Sequence, residues 1–284
     1  MKSNTLNSDR VLLFLHIPKT GGTTLTNCIY NQQATNEDYK AEKGYLVNGI
    51  YYYPDGFYKE QDLAIPAQVA RALERHDIRA VVGHFSFGIH TSVKRPCTYV
   101  TLLRNPVDRV VSLYHHIRRE EDTKLHKIVS GGISLEDFVL HLSCREVDND
   151  QTRRISGIEP AFGACSISTL DKAKDNLRRY FSVVGVTECF DETVILIKRT
   201  LGWAHEPYYL PDLVNKDRPV SASLPQKSID TILERNELDS KLYEFAQEFL
   251  YERISAHGSD FDSEVRRFKA LNAGYIAKYG LSTW

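Results

Sequence analysis

Lys19 lies in the segment HIPKTGGTT, His16 to Thr24, where Thr20, Gly21, Gly22, Thr23 and Thr24 follow it directly. These residue types in this order suit the holding of an anion. Glycines allow close backbone approach, a helix starting there offers free N–H groups, the threonines add hydroxyl donors, and the lysine is a point charge that can reach a phosphate oxygen. The order is not that of the common phosphate loop, G-x-x-x-x-G-K-[ST], where the lysine comes after the glycines. The plain alternative is a strand-to-helix turn with a surface lysine.

A second anion-binding candidate is Arg104 in TLLRNPVDRVVSLYHH, at the end of an apolar run and ahead of a helix carrying Ser112. A guanidinium there can fork onto a phosphate while the serine donates a hydroxyl. The alternative is a structural arginine paired with a carboxylate such as Asp108. Two separate anion sites suit a nucleotide phosphorylated at both ends, and 3′-phosphoadenosine 5′-phosphosulfate (PAPS) fits that description. A dinucleotide site would want G-x-G-x-x-G after a strand, and a P-loop-type kinase would want a Walker A loop and an apolar strand ending in a magnesium-binding aspartate. Between the two segments lies GHFSF, with His84 after a short apolar run. A neutral imidazole there can take a proton from an attacking hydroxyl. His90, His115 and His116 are weaker candidates for that task.

These residues need elements to position them. VLLFL (Val11–Leu15), AVVG before His84, TYVTLLR (Thr98–Arg104) and FSVVGVTE (Phe181–Glu188) read as buried strands. A helix runs from Thr23 to Gln33. Another follows Asn105, which caps it with Pro106 in the first position and Asp108 in the first turn. Ser134 caps a short helix, Ser168 caps one through Arg179, and Asp191 to Leu201 is helical. Residues 34–66 read as mostly irregular, with a helix over about 66–75. The proline-rich stretch from Glu206 to Pro225 reads as a loop, and helices including ELDSKLYEFAQEFLYERI close the chain. Strands alternating with helices predict an α/β fold: a mostly parallel sheet with helices on both faces and a helical C-terminal part. Ligands of such sheets bind at the carboxyl ends of the strands, where Lys19, His84 and Arg104 all fall.

The chain has 284 residues, 42% hydrophobic and 26% charged, which suits one domain over 1–284 with residues 1–9 as a flexible tail. A net charge of −1 gives no field favouring nucleic acid. Five cysteines without a C-x-x-C motif argue against a zinc site or disulfide framework, with Cys144/Cys165 the one pair worth weighing. The N-terminal apolar run is too short for a signal peptide or a transmembrane segment, so a soluble, cytoplasmic protein is expected. A homo-oligomer stays open.

The two nucleotide segments with GHFSF between them, in that order, resemble the PAPS-dependent sulfotransferase family. The resemblance is to the uronyl and heparan sulfate 2-O-sulfotransferase branch and its bacterial relatives, and it covers most of the chain from Leu12 to about Ile254. It implies a P-loop NTPase-like fold and O-sulfotransferase activity with PAPS as co-substrate and no metal requirement. PKTGGTT resembles the 5′-phosphosulfate loop, so Lys19, Thr20, Gly21, Gly22, Thr23 and Thr24 would hold the donor. Arg104 and Ser112 fall on the 3′-phosphate positions, and His84 on the catalytic base. Lys19 would stabilise the leaving phosphate, and Arg218, in the proline-rich loop, would fold over the nucleotide.

On the acceptor side, Asn27 and Tyr30 share a helix face and match family positions that hold the sugar; a solvated polar face is the alternative. DNDQTRRISG, Asp148 to Gly157, either lines the acceptor cleft through Gln151, Arg153 or Arg154 or is a plain surface loop. The chain departs from the heparan enzymes at His16-Ile17, where they carry an arginine, at Val82, where they carry a second histidine, and over Ala34–Pro66. The departures leave the acceptor open among polysaccharide, glycolipid and small hydroxyl compounds. A kinase, or a non-catalytic module that binds a nucleotide or glycan, is the alternative reading.

Overall fold

The computed structural model describes residues 10–33, 45–47, 49–53, 73–210 and 224–279. Its centre is a six-stranded sheet of order β2-β3-β4-β1-β5-β6. The strands are β1 (Val11–Leu15), β2 (Tyr45–Val47), β3 (Ile50–Tyr52), β4 (Ala80–Gly83), β5 (Cys97–Leu103) and β6 (Phe181–Val186). All neighbours pair in parallel except β2 with β3. Every residue of β1 is buried, and all of β5 but its first. Continuous apolar runs of this kind belong to strands covered on both faces, which bears out the predicted α/β architecture.

Strand order explains where a ligand must sit. From β1 the chain moves to one side of the sheet to make β2, β3 and β4, then crosses to the other side to make β5 and β6. The order therefore reverses at β1, and the crevice outside its carboxyl end is the switch point of the sheet. HIPKTGGTT leaves β1 at that point, and α1 (Gly22–Gln33) carries it onward.

Helix α2 (Pro106–Arg119) starts as expected: the Asn105 side chain accepts from the N–H groups of Val107 (3.0 Å) and Asp108 (3.4 Å), with Pro106 in the first turn. Then come α3 (His126–Ser130) and α4 (Leu135–His141), the latter capped by Ser134. Next are α5 (Asp150–Ser156), α6 (Ile167–Tyr180), α7 (Phe190–Leu201), α8 (Gln226–Arg235), α9 (Glu237–Ser255) and α10 (Asp260–Tyr279). One apolar cluster takes in residues from Val11 to Phe268. A second lies beneath α2, where Val110, Leu113 and Ile117 meet Phe138, Val139 and Ile232.

Within the stretch 34–66, read as mostly irregular, the β2–β3 hairpin went unforeseen, because three-residue strands give too little alternation to be seen. Two readings need correction. The cap of α6 is Ser166, two residues before Ser168, in a reciprocal capping box with Thr169. Asp148–Gly157 is not a surface loop: all seven residues of α5 are buried. All five cysteines are free, Cys144 and Cys165 included. The helix expected over about 66–75 lies mostly outside the described residues, as does the tail 1–9.

Candidate functional site

Parallel pairing sets three chain segments side by side at one rim. Leu15 is in register with Gly83 of β4 and with Thr101 of β5. His16 N–H donates to Gly83 O at 2.9 Å, and Thr101 Oγ1 donates to Leu15 O at 2.8 Å, so the ladder is locked up to the last residue of β1. Each strand then releases a functional residue: Lys19 after β1, His84 after β4 and Arg104 after β5.

The loop itself is tightly formed. Lys19 has φ 70° and Gly21 φ 81°, both in the left-handed region. A lysine seldom takes that conformation, and strained backbone of this kind clusters at functional sites. The fully buried Thr20 donates its hydroxyl to Ile17 O at 2.9 Å, closing the turn from inside. Thr20 thus offers a fixed backbone to the loop, with its hydroxyl turned inward. The first N–H groups of α1, from Gly22 onward, have no carbonyl within the helix to meet, as at any helix N-terminus, and no acidic side chain occupies this first turn. Thr23 is exposed and Thr24 half-buried there.

Two arms tie this loop to β5 and β6. The Arg104 guanidinium donates through Nη1 to Lys19 O at 3.0 Å. The Thr187 hydroxyl, just past β6, lies 2.7 Å from Thr20 O and 3.0 Å from Leu103 O, and shares its proton between them. Ser112 is half-buried two turns along α2.

The imidazoles of His16 and His84 meet edge to face, centroids 4.4 Å apart and planes at 62°. Behind His16, Phe14 stacks on its ring at 5.5 Å. Burial, followed by the charges of His84, Arg154 and Lys19, holds His16 well below the usual histidine range, so it is neutral near pH 7. His116 on α2 feels the same surroundings. Burial comes first, then Lys19, and with smaller effects from Arg119 and His84 it outweighs Glu120, pushing His116 down to about 4. The centre is therefore electropositive and favours an anionic ligand.

Beneath the rim lies a buried charged layer built on α5. Asp150 receives Arg154 Nε at 3.0 Å on both oxygens, with Arg109 and Arg145 each at 3.6 Å. Arg154 Nη1 also donates to His84 O at 3.3 Å, and Arg154 O accepts from Phe87 N at 2.7 Å. Asp239 of α9 accepts from Gln151 N (3.1 Å), Thr152 N (2.8 Å) and Thr152 Oγ1 (2.8 Å), capping α5. In return Asn149 Oδ1 accepts from Leu238 N (2.9 Å) and Asp239 N (3.1 Å), capping α9. Each helix start thus supplies the acceptors that the other lacks.

The expected site residues divide accordingly. Lys19, Thr20, Gly21, Gly22, His84 and Arg104 come together. Asn27 is exposed and Tyr30 half-buried on α1, Tyr30 near enough to Tyr52 to act on its phenol. Arg153 must be corrected. It is 1% exposed; its guanidinium donates to Asp148, Pro160 O and Ala161 O, and its Nε to Asp148 O, so it cannot turn to an acceptor. Arg218 lies outside the described residues. Sequence reasoning missed Thr187 and the inward roles of Gln151 and Arg154. Asp150 and Arg154 at i, i+4 and Gly157 in the left-handed conformation (φ 72°) past the helix end were the available signals.

A model of the sulfotransferase family matches residues 4–246. Among curated relatives, heparan-sulfate 6-O-sulfotransferase 1-B of Danio rerio is 26% identical, covering 87% of this chain and 68% of the relative. Heparin sulfate O-sulfotransferase of Drosophila melanogaster is 25% identical, covering 86% and 78%. Human heparan sulfate 2-O-sulfotransferase 1 is 23% identical, covering 88% and 72%. The solved structure of mouse sulfotransferase SULT7A1 complexed with PAP is 14% identical, with a TM-score of 0.38, covering 84% of this chain and 89% of that one. The matches correct the expected cytoplasmic location: the heparan-sulfate sulfotransferases are Golgi-lumenal enzymes, and the cytosol no longer stands as the default. Among the described residues no helix is long and apolar enough to cross a membrane.

Proposed function

The chain belongs to the sulfotransferase family, and on that premise we propose that it moves the sulfuryl group of PAPS to a hydroxyl of a carbohydrate, with His84 as general base and Lys19 at the leaving phosphate. The observation that carries the reading is the meeting of Lys19, His84 and Arg104 at the carboxyl ends of three adjacent parallel strands. The heparan-sulfate enzymes among the relatives support a saccharide acceptor; glycolipid is the finer class within it that we favour testing beside free polysaccharide.

His84 takes the acceptor proton as the acceptor oxygen forms its bond to sulfur. The bond from sulfur to the bridging oxygen of the 5′ phosphate breaks, and its electron pair stays on that oxygen. The Lys19 ammonium and the first N–H groups of α1 stabilise the charge that develops there. The sulfuryl group arrives activated, so the protein's own residues need only bind, orient and remove one proton. Arg104 and Ser112 take the 3′ phosphate, Thr23 and Thr24 add donors at the 5′ end, and Asn27 and Tyr30 face the acceptor. One domain over 1–284 carries the activity.

Calorimetry with 3′,5′-bisphosphoadenosine tests the donor site. Binding that Arg104→Ala weakens is expected; no binding, or binding indifferent to Arg104→Ala, refutes the donor reading. Incubation with PAPS and a panel of polysaccharide and glycolipid acceptors, read by mass spectrometry for a sulfated product, tests the transfer.

A further inference from the structure

Gln151 has a task that its place among acceptor candidates did not suggest. Its Oε1 accepts from Arg104 N at 2.9 Å and its Nε2 donates to Arg104 O at 2.9 Å. Both functions of one carboxamide thus close on the two peptide groups of one residue, as a neighbouring strand would. The β5–β6 ladder ends with Leu103 opposite Val186, and Gln151 takes over as partner for the next residue. Gln151 is itself fully buried, and its own N–H is fixed on Asp239. The hold on Arg104 is therefore anchored in the interior and not in a mobile surface side chain.

We propose that Gln151 is a positioning residue for the anion-binding arginine: by fixing the Arg104 backbone it aims the guanidinium at the 3′ phosphate of the donor nucleotide. A backbone clamped on both sides leaves Arg104 only its side-chain torsions. Its Nη1 already rests on Lys19 O at 3.0 Å, so the clamp also sets the distance between the two anion-binding segments. The inference rests on the donor reading above, in which Arg104 meets that phosphate. Pre-ordering of this kind removes part of the entropy cost of binding, and its loss appears as lost affinity for the group that Arg104 contacts.

The test compares two nucleotides on the full chain by calorimetry: 3′,5′-bisphosphoadenosine, and adenosine 5′-phosphate, which lacks the 3′ group. Gln151→Met keeps the length and packing of the side chain and removes both hydrogen bonds. It is expected to weaken bisphosphoadenosine binding about tenfold and leave adenosine 5′-phosphate binding unchanged. Equal losses for both nucleotides mean a merely structural role and overturn the inference, as does an unchanged affinity for bisphosphoadenosine. A wild-type chain that binds both nucleotides equally overturns the donor reading and the inference together, which distinguishes the two failures. If Gln151→Met does not fold, amide exchange at Arg104 in the wild-type chain decides. Saturating bisphosphoadenosine is expected to slow it and adenosine 5′-phosphate to leave it alone; the same effect from both overturns the inference.

Discussion

His16 and His84 are packed against each other, ring centroids 4.4 Å apart, although they leave different strands. The contact exists because β1 and β4 are in register at Leu15 and Gly83, so the residue after each strand end meets the other. The base candidate is thus backed by a second, neutral imidazole. The glycine pair of the loop owes its second member to the same contact. A Cβ on Gly22 would lie 2.0 Å from His16 Cδ2 and 2.3 Å from Nε2.

Gly22→Ala is therefore expected to destabilise the fold by about 1–3 kcal/mol, as overpacking does, and to displace His16 against His84. Combining it with His16→Ala removes the clash, so the double variant should be more stable than the sum of the single effects predicts. Urea denaturation of the four proteins measures this. Strict additivity would show that the two positions do not meet.

Replacing the two central groups should separate chemistry from binding. His84→Ala is expected to lower kcat by about 10²–10⁴-fold, the usual worth of a positioned base, with bisphosphoadenosine affinity unchanged. Lys19→Ala is expected to lower kcat by about 10²–10³-fold through lost charge stabilisation and to weaken bisphosphoadenosine as well. Steady-state rates and calorimetry on each variant check both. Wild-type turnover in His84→Ala would remove the base assignment and leave the donor site standing.

The strands and the rim were legible because they rest on local signals: unbroken apolar runs, Asn105 before Pro106, glycines after Lys19. The layer beneath was not. The segment DQTRRIS has no apolar periodicity, and by composition it belongs at the surface, yet reciprocal caps from Asp239 and Asn149 and the pairing of Asp150 with arginines bury it whole. The capping partners lie more than eighty residues apart in the chain, a distance that no window of sequence spans. Arg153 was misassigned on composition: an arginine in a polar run reads as a ligand contact until the fold turns it inward onto Asp148 and the Pro160 and Ala161 carbonyls.

The two depressed histidines set an acid limb for stability. In the unfolded chain each titrates near 6.5; in the fold, burial above all holds His16 far lower and His116 at about 4. Below about pH 6.5 the unfolded state therefore takes up protons that the native state refuses. Stability falls as pH drops, by at most about 1.4 kcal/mol per unit for each histidine, and the part due to His116 levels off near pH 4. Above pH 7 neither contributes a slope. Urea denaturation at intervals from pH 7.5 to 4.5 should show this limb, and His116→Gln should make it shallower. An unchanged limb in His116→Gln would show that this imidazole stays protonated in the fold.

Asp150 is expected to be the most costly charge to remove. It is fully buried, and three arginines converge on it: Arg154 at 3.0 Å, Arg109 and Arg145 at 3.6 Å. Burial alone would raise its pKa, yet Arg154, Arg109 and Arg145 outweigh it, and the carboxylate is held below its ordinary value. Asp150→Ala takes the carboxylate from Arg154, which is also buried, and leaves Arg109 with Glu146 O and a more distant carboxylate, Asp239 at 4.0 Å. Breaking one partner out of a buried pair typically costs about 3–5 kcal/mol. The exposed pair Lys241–Glu237 on α9 is the control: Glu237→Ala should cost no more than about 1 kcal/mol. Because Arg154 also holds His84 O, Asp150→Ala should lower kcat in protein that is still folded at low temperature, whereas Glu237→Ala should not. Equilibrium unfolding together with rates measured well below each midpoint tests both claims. Equal stability losses for the two variants would mean that the layer under the rim is solvated and does not act as a brace.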